Sequence, residues 1–476
     1  MNFLKKHFFL LLFTFSFFVA LILYQSVLGF YFFQDDFFEM NAAKAKNLTD
    51  YLNFFKFRSD IVDWRPISQL NYFFFFQKIF GLNPVGYRLI SFTLFFATAF
   101  LIAKTFAKIT KNQSVGLLSS AFWLTSSVHF INHTWISASY NIIGTFFFML
   151  TSLLFVLSLE KHSKILYIAS FGTFLLTLGS FEFAITWPAL FGIYYLIIGN
   201  NSPILTFKKL LPYVAVSLAY LIARLTIMEV PKIPEYIVTF NVESLKAFFW
   251  YLLWTFNIPE EFKKQITNNL LVFNQKFFDE YRTLILQTFA AFAVVAIAGI
   301  LTPTIRYLKA KISLDKKLLL LTVFWFALTI SPVLIIPNHT FIMYLSLSSI
   351  GIYALISYLL ISLNNKLLIV FVFVIWLSSS VITLNFYKNN YWMIHAQEFS
   401  AKFARDIKSQ FPTLPQNSVL LYSLNDKREI QSLQENEALR LLLNDQTLLI
   451  YYNKMALRQD LENLKNRPIY IYLESE

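Results

Sequence analysis

Two adjacent carboxylates, Asp35 and Asp36, lie between aromatic runs in the stretch GFYFFQDDFF (29–38). They follow an apolar segment that begins near Phe8, so they stand where the chain leaves a hydrocarbon environment. A carboxyl group in partly apolar surroundings is costly to ionise, so its pKa rises and it becomes a usable general base. The alternative is a pair of acids that only ends a helix and solvates it. The local sequence leaves both interpretations open.

Arginines that could bind a developing anion follow in two short segments. Arg65 lies in DWRPIS (63–68), and Arg88 lies in GLNPVGYRLI (81–90). A guanidinium is a forked donor that suits phosphate and carboxylate oxygens. Arg65 could instead pair with Asp63 or with a lipid headgroup, and Arg88 could only extend its charge to the membrane interface. Further cations in the loop 228–279 are Lys232, Lys246 and Lys263.

Three histidines and one glutamate complete the set of polar candidates. His129 and His133 are four residues apart, as two metal ligands on one helical face would be, but a third ligand at helical spacing is missing. We therefore expect no zinc site. His339 follows a Pro-Asn pair and is either a donor to an anion or a turn residue. Glu182 lies between apolar segments, where an unpaired carboxylate is expensive, so we expect it to have a partner or a functional role.

The composition is that of a polytopic membrane protein. Of the 476 residues 57% are hydrophobic and only 14% are charged, whereas soluble domains have roughly 25% charged residues. The net charge of +13 comes from lysines and arginines in short gaps between apolar runs, which is typical of cytoplasmic loops and not of a nucleic-acid groove. We therefore expect no nucleic-acid partner. The absence of cysteine excludes disulfides, thiolate metal sites and cysteine nucleophiles.

Apolar runs long enough to cross a bilayer, about 17–25 residues each, predict eleven transmembrane helices. They lie at 8–28, 86–107, 114–131, 139–159, 165–181, 183–199, 207–227, 280–303, 317–336, 340–361 and 366–385. No small-residue cleavage site follows the first run, so we interpret it as a retained helix. Lysines or arginines lie in or beside each of the five even-numbered gaps, which puts these gaps and the N-terminus in the cytoplasm and the two aspartates outside.

The predicted fold is therefore a polytopic α-helical membrane protein with a small C-terminal α/β domain. Residues 1–385 form the transmembrane domain, with 29–85 and 228–279 as large extracytoplasmic loops. Residues 386–476 have the composition of a soluble domain, which the topology places outside the membrane. Three short apolar runs predict its strands, with helices between them: SVLLYSL (418–424), TLLIYYN (447–453) and PIYIYLE (468–474).

The polar segments follow one another in an order that resembles a known family. After the aspartate pair come DWRPIS (63–68), GLNPVGYRLI (81–90), WLTSSVHFINHTWISASYN (123–141), LGSFEFAITWPALFGIYYL (178–196) and SLSSIGIY (346–353). This series resembles the GT-C superfamily of integral-membrane glycosyltransferases, most closely its protein O-mannosyltransferase-like branch. That branch includes transmembrane members that carry tetratricopeptide repeats, and it includes their bacterial relatives. The resemblance covers about residues 25–200 and, more weakly, 320–360.

The chain departs from the family pattern at several positions. Arg88 stands where the family usually has His, and Ile131 stands where a Glu often follows the residue matching His129. Phe181 replaces the Lys before Glu182, and Met343 lies near a position that is often Arg. The tetratricopeptide repeats have no counterpart here.

The resemblance implies a sugar transfer from a polyprenyl-phosphate carrier to an acceptor hydroxyl of a protein, lipid or glycan. It assigns Asp35 as general base, and Asp36 as a residue that orients the acceptor or raises the pKa of Asp35 by repulsion. The residues assigned to the leaving phosphate are Arg65, Arg88, His129 and His339, with Glu182 and Trp135 in supporting positions. No cofactor is implied, and a divalent metal stays open. The partners are the lipid-linked sugar, its acceptor and membrane lipids, at the outer face of a cell membrane, most simply a bacterial inner membrane.

Two other functional classes compete with this interpretation. A transporter or lipid flippase would usually show internal repeats and charges at mid-membrane. The acids and histidines here lie at span ends on one face, which favours surface chemistry. A non-catalytic scaffold would leave the aspartate pair and the segments after it without a purpose.

Overall fold

The computed structural model describes residues 2–59, 61–228, 233–266, 272–464 and 466–472, with side chains from residue 7 onward. Lys232 lies outside the described residues. The helices, numbered in chain order, are α1 Asn2–Tyr24, α2 Asp35–Ala42, α3 Leu48–Asn53, α4 Tyr72–Phe80, α5 Pro84–Ile109, α6 Gln113–Leu124, α7 Phe130–Thr134, α8 Tyr140–Glu160, α9 Lys164–Leu178, α10 Trp187–Ile193, α11 Pro203–Thr226, α12 Val242–Trp254, α13 Phe262–Gln265, α14 Gln275–Ala296, α15 Thr302–Leu308, α16 Lys316–Leu334, α17 Leu345–Ser362, α18 Lys366–Asn390, α19 Trp392–Gln410, α20 Lys427–Ser432, α21 Glu437–Leu442 and α22 Lys454–Gln459. Short 3-10 segments are Gln25–Gly29, Ser127–His129, Ser137–Ser139, Glu182–Thr186, Pro234–Tyr236 and Ile342–Tyr344. π-Helical segments are Pro66–Asn71, Tyr194–Ile198 and Ile297–Leu301.

The long apolar helices confirm the predicted class, a polytopic helical membrane protein. Within the described residues, 8 helices are long and apolar enough to cross a membrane, and a pair bent by 53°, α6 with Ser127–Thr134, raises the number to 9. Two shorter apolar helices, Lys164–Leu178 and Glu182–Ile198, fall on the remaining two predicted segments. Each of the eleven predicted segments thus overlaps an apolar helix or the bent pair, and the count of eleven spans stays a prediction.

The break in the bent pair is stabilised by hydrogen bonds to a distant loop. At the break the Ser127 amide and hydroxyl both donate to Oδ1 of Asn257, at 2.8 and 3.0 Å. Backbone groups freed from a helix at membrane depth need such partners, because lipid offers none. The interruption is therefore compatible with a buried position.

One end of the bundle consists of five tight turns, which coincide with the five basic gaps. Each turn contains a residue with positive φ, the left-handed conformation that commonly ends a helix. These residues are Lys111, His162, Asn200, Ala310 and Asn364. The next helix then starts with a side-chain oxygen that accepts a backbone N–H, from Asn112, Ser163, Ser202, Asp315 and Asn365. The alternation predicted from charge thus corresponds to one face of the structure.

Close helix contacts in the bundle require small residues. A Cβ at Gly116 would lie 2.0 Å from the Ala103 carbonyl oxygen, so α5 and α6 approach too closely for any side chain there. A Cβ at Gly351 would lie 2.6 Å from the Thr322 carbonyl oxygen, where α16 meets α17. Small residues at such contacts let helix backbones pack directly, as in membrane bundles generally.

The C-terminal segment forms a three-stranded parallel sheet with the order β2-β1-β3. The strands are β1 Val419–Leu421, β2 Leu449–Tyr451 and β3 Ile469–Ile471, in which Leu420 pairs with Ile450 and with Tyr470. All three strands lie inside the segments that the apolar runs predicted. The boundary between residues 385 and 386 falls inside α18, which continues to Asn390. The domain division itself stays a prediction.

The C-terminal segment shares a hydrophobic core with the helix that carries the aspartate pair. Buried Phe37 and Met40 of α2 belong to the same cluster as Phe403 of α19 and Leu420 of β1. Nδ2 of Asn41 also donates to the Glu437 carbonyl oxygen, at 2.9 Å. The C-terminal segment therefore packs on α2 and helps to hold it in place.

Candidate active site

Asp36 is fully buried and is used to position α2. Its Oδ1 accepts the Ser137 N–H at 2.7 Å, and its Oδ2 accepts the Phe33 N–H at 3.2 Å. Burial raises the pKa of Asp36 to about 7, although these hydrogen bonds and the Arg88 charge oppose the rise. Because both oxygens already bind backbone donors, Asp36 ties the start of α2 to the segment before α8.

Asp35 is half-buried, and no hydrogen bond from the described residues reaches its carboxylate. Burial is the main cause that raises its pKa to about 6; the Asp63 carboxylate adds to the rise and the Arg65 charge opposes it. The like charge that adds to this rise is thus Asp63. The role of Asp36 beside Asp35 stays a prediction. Of the two aspartates, Asp35 is the one with a carboxylate available for proton transfer.

Arg65 is held by a buried ion pair with Glu182. Its Nε and Nη2 donate to the two carboxylate oxygens of Glu182 at 2.9 and 3.1 Å, a bidentate arrangement. Its Nη1 lies 3.4 Å from the Asp63 carboxylate, and the guanidinium carbon lies 3.6 Å from the Tyr140 ring centre. Glu182 thus has the partner that its apolar surroundings require. Two carboxylates and an aromatic face thus surround one cation.

Backbone contacts between two distant segments explain how Arg65 meets Glu182. Pro66 follows Arg65 and restricts it to a non-helical conformation, so the side chain leaves the chain before the π-helical segment begins. The Ile67 N–H then donates to the Gly179 carbonyl oxygen at 2.9 Å, and the Ser68 hydroxyl donates to the Ser180 carbonyl oxygen at 2.6 Å. These bonds join the DWRPIS segment to the turn just before Glu182.

Two acidic residues of this cluster, Glu39 and Asp63, were not among the predicted site residues. Glu39 lies four residues after Asp35, so both side chains are on one face of α2. Burial, followed by repulsion from Asp35, raises the pKa of Glu39 to about 8, so Glu39 is largely protonated at neutral pH. The i, i+4 spacing was the signal that could have identified Glu39, and the position next to Trp64-Arg65 could have identified Asp63.

His339 lies at the edge of the same cluster. Its ring stacks on Tyr236 with centroids 4.5 Å apart, and its Nδ1 is 3.0 Å from the Tyr344 hydroxyl oxygen. Burial lowers the pKa of His339, and the charges of Asp63 and Arg65 also act on it. The structure thus brings together Asp35, Arg65, Glu182 and His339.

Arg88 and His129 do not contact the Arg65–Glu182 pair, although Arg88 is close enough to Asp36 for its charge to oppose the rise in the pKa of that carboxyl. Arg88 is buried and donates to three backbone carbonyl oxygens, those of Phe30, His133 and Thr134. His129 is buried among helices, with Nε2 at 3.0 Å from the Trp123 carbonyl oxygen. Both side chains are thus used within the packed interior, and we do not include them in the proposed site. Among the described residues there is no group of three metal-ligating side chains, His129 and His133 included.

Trp135 lies in the wall of an open cleft of about 810 Å³. Its ring is stacked on Phe33 with centroids 5.9 Å apart. Gln34, the residue before Asp35, lines the same cleft, together with Trp392 of α19. The cleft therefore begins next to the aspartate pair and extends toward the C-terminal segment.

The two aspartates should respond differently to amide substitution, and Asp36→Asn should destabilise the fold. An Asn side chain keeps one carbonyl acceptor, so one of the two N–H groups bound by Asp36 loses its partner. A buried donor left unsatisfied costs about 1–3 kcal/mol. Thermal unfolding at a pH below the Asp36 pKa of about 7, where the parent carboxyl is neutral and the substitution removes no buried charge, measures this loss, with exposed Asp279→Asn as the matched control. Equal melting temperatures for the two variants would contradict the positioning role.

Comparison of the chain with models of known protein families gave no match, and comparison with curated proteins gave none either.

Proposed function

We propose that this protein is a membrane glycosyltransferase that moves a sugar from a polyprenyl-phosphate carrier to an acceptor hydroxyl. The family resemblance supplies the reaction class. The observation that supports it most is the Asp35 carboxylate, which makes no hydrogen bond within the described residues and has a raised pKa beside a buried arginine. Such a carboxylate is suited to accept a proton near neutral pH.

The proposed reaction is a displacement at the anomeric carbon. The Asp35 carboxylate takes the proton of the acceptor hydroxyl while that oxygen forms a bond to the anomeric carbon. The bond from the anomeric carbon to the phosphate oxygen breaks on the opposite side, and its electron pair leaves with the polyprenyl phosphate. Negative charge then increases on the phosphate, where a fixed donor in apolar surroundings stabilises it most.

Arg65 is the residue that we assign to the leaving phosphate. Glu182 occupies its Nε and Nη2, whereas its Nη1 makes only a longer contact of 3.4 Å with Asp63. A phosphate oxygen would be a stronger partner for Nη1 at that place. Glu182 and Tyr140 keep the guanidinium in position, and His339 at the edge of the cluster is the second candidate donor.

The proposal includes the topology of eleven spans, with the N-terminus in the cytoplasm and the site outside, in a bacterial type of inner membrane. Its support is the coincidence of the five basic gaps with the five tight turns at one end of the bundle. The aspartate pair lies away from those turns, and the acidic residues in them are Glu160 and Asp315. Basic residues on one face are the usual mark of the cytoplasmic side.

Single cysteines in this cysteine-free chain test the orientation. Lys208 is exposed near the start of α11, beside the third basic gap, and Asn417 is exposed just before β1. We expect a membrane-impermeant maleimide, added to intact cells, to label Asn417→Cys and not Lys208→Cys. Permeabilised cells are the control in which both should react. Labelling of both cysteines in intact cells, or of Lys208→Cys alone, would contradict the topology.

Mass spectrometry of co-purified lipids tests the proposed donor. We expect a polyprenyl-phosphate-linked sugar to be enriched in the purified Asp35→Asn variant, because that variant would bind the donor without consuming it. An unrelated polytopic protein purified from the same cells is the control for adventitious lipid. Identical lipid profiles for the two proteins would argue against the assigned substrate and leave the transporter alternative.

A further inference from the structure

The cleft beside Trp135 adjoins a second cleft along α19. The first, of about 810 Å³, and the second, of about 610 Å³, are both lined by His395 and Glu398. We call the two adjoining clefts together the α19 groove. It begins at Gln34 next to the aspartate pair and ends at Tyr472, just after β3. Each part has the size of a small-molecule site, so the whole groove suits a longer, chain-like ligand.

The first part of the groove combines aromatic rings with amide side chains. Trp135 and Trp392 stand edge to face with centroids 6.2 Å apart, and amides from three segments line the same space. These amides are Gln34, Asn389, Asn390 and Gln431. An amide has two N–H donors and an oxygen acceptor for hydroxyl groups, and each indole offers a flat apolar face. Asn389 and Asn390 each use one N–H for a backbone carbonyl oxygen of α18, and their other N–H is left for a ligand. Sugar rings present this combination of hydroxyl groups and apolar C–H faces.

One buried donor in this wall has no partner. Nε1 of Trp135 is buried without a hydrogen bond to any described residue, although buried indole N–H groups usually have an acceptor. This nitrogen is covered by protein atoms, so a ligand in the cleft would contact the ring of Trp135 and not its N–H.

The second part lies at the carboxyl ends of the parallel strands, where ligands of such sheets usually bind. Tyr422 follows β1 and Tyr472 follows β3, and their rings stack with centroids 4.3 Å apart. Charges of both signs line it, from His395, Glu398, Lys402 and Glu429. A mixed lining of this kind does not favour a polyanion such as nucleic acid, and a peptide strand would instead add to the sheet edges at β2 or β3.

We propose that the α19 groove binds an oligosaccharide and, resting on the proposed function, that this oligosaccharide is the sugar acceptor. Gln34 connects the groove with the catalytic helix. It has φ 49° and ψ −125°, a strained conformation for a residue other than glycine, and its N–H donates to the Ser432 carbonyl oxygen at 2.8 Å. The end of a bound chain would therefore lie next to Asp35.

Binding can be tested without turnover. The full-length Asp35→Asn variant in detergent is applied to an array of defined oligosaccharides and then titrated with the strongest binder. In this background we expect Trp392→Ala to weaken binding about tenfold, because one stacking face is lost, and Trp392→Phe to retain most of it. Exposed Gln431→Ala should weaken binding about threefold without a change in melting temperature. Trp250→Ala, outside the groove, is the matched control and should bind as the Asp35→Asn background does.

The outcomes separate the groove from the proposed transfer. If no oligosaccharide binds, if a peptide array binds instead, or if Trp392→Ala and Gln431→Ala bind like the control, the groove proposal is overturned. Donor cleavage that persists with another acceptor would then leave the proposed function intact. If oligosaccharide binding follows the groove variants while no lipid-linked donor is cleaved, the groove proposal stands and the proposed transfer fails.

Discussion

Asp35→Asn should lower the rate of sugar transfer by about 10²–10⁴-fold while the melting temperature does not fall. The substitution keeps the size of the side chain and removes its ability to accept a proton. Stability should be preserved because the Asp35 carboxylate makes no hydrogen bond within the described residues. Transfer rates and thermal unfolding of the purified variant and parent measure both effects. Near-parental turnover of Asp35→Asn with an inactive, stably folded Asp36→Asn would show that the two roles are reversed.

The pH dependence of the parent gives an independent check on Asp35. A general base must be ionised to act, and burial raises the Asp35 pKa from 3.8 to about 6. We therefore expect kcat/KM to be constant above pH 6 and to fall about tenfold per pH unit below it. A rate that stays constant down to the ordinary Asp value of 3.8 would contradict the assignment of Asp35 as base.

Arg65→Ala should reduce kcat/KM for the lipid-linked donor by roughly ten- to a hundredfold. Loss of one hydrogen bond to a charged group typically costs about 1.5–3 kcal/mol. Lys56→Ala is the matched control, because it removes an exposed positive charge from the same loop. Arg65→Lys keeps the charge but not the bidentate pairing with Glu182, so it should recover only part of the activity.

Stability must be measured on the same Arg65 variants, because Arg65 also pairs with Glu182. Arg65→Ala leaves Glu182 without its cation, so some loss of melting temperature is expected. Glu182→Gln breaks the same ion pair while the guanidinium remains. Its melting temperature therefore shows how much stability is lost with the ion pair alone. A donor titration of Arg65→Ala that matches those of Lys56→Ala and the parent would remove Arg65 from the site.

The helices and turns could be predicted from sequence because their signals are local. A run of apolar residues sets the length of a span, and a positive-φ residue followed by a capping side chain ends one helix and starts the next. His162 followed by Ser163 is one example. The strands of the C-terminal sheet were predictable for the same reason. The packing of that sheet on α2 was not, because it depends on contacts such as Asn41 with Glu437, almost 400 residues apart in the chain.

The site was predictable only in part, because topology gives the side of the membrane and not the direction of a side chain. Arg88 and His129 were expected to face the phosphate. Their side chains instead contact backbone carbonyl oxygens. The apolar surroundings of Glu182 indicated that it needs a partner. That this partner is Arg65 could not be predicted, because the two residues are 117 positions apart in the chain. Glu39 was missed because no motif includes it.

Transfer of a labelled sugar from a polyprenyl-phosphate donor by the purified protein is the most direct test of the central claim. The proposal predicts that free polyprenyl phosphate and a labelled acceptor form together in equal amounts, and that neither forms with Asp35→Asn. Asp279→Asn, exposed and remote from the acidic cluster, should retain the parental rate. If the parent, stably folded and supplied with a panel of acceptors and lipid-linked sugars, leaves every donor intact, or if Asp35→Asn transfers as fast as the parent, the account is contradicted.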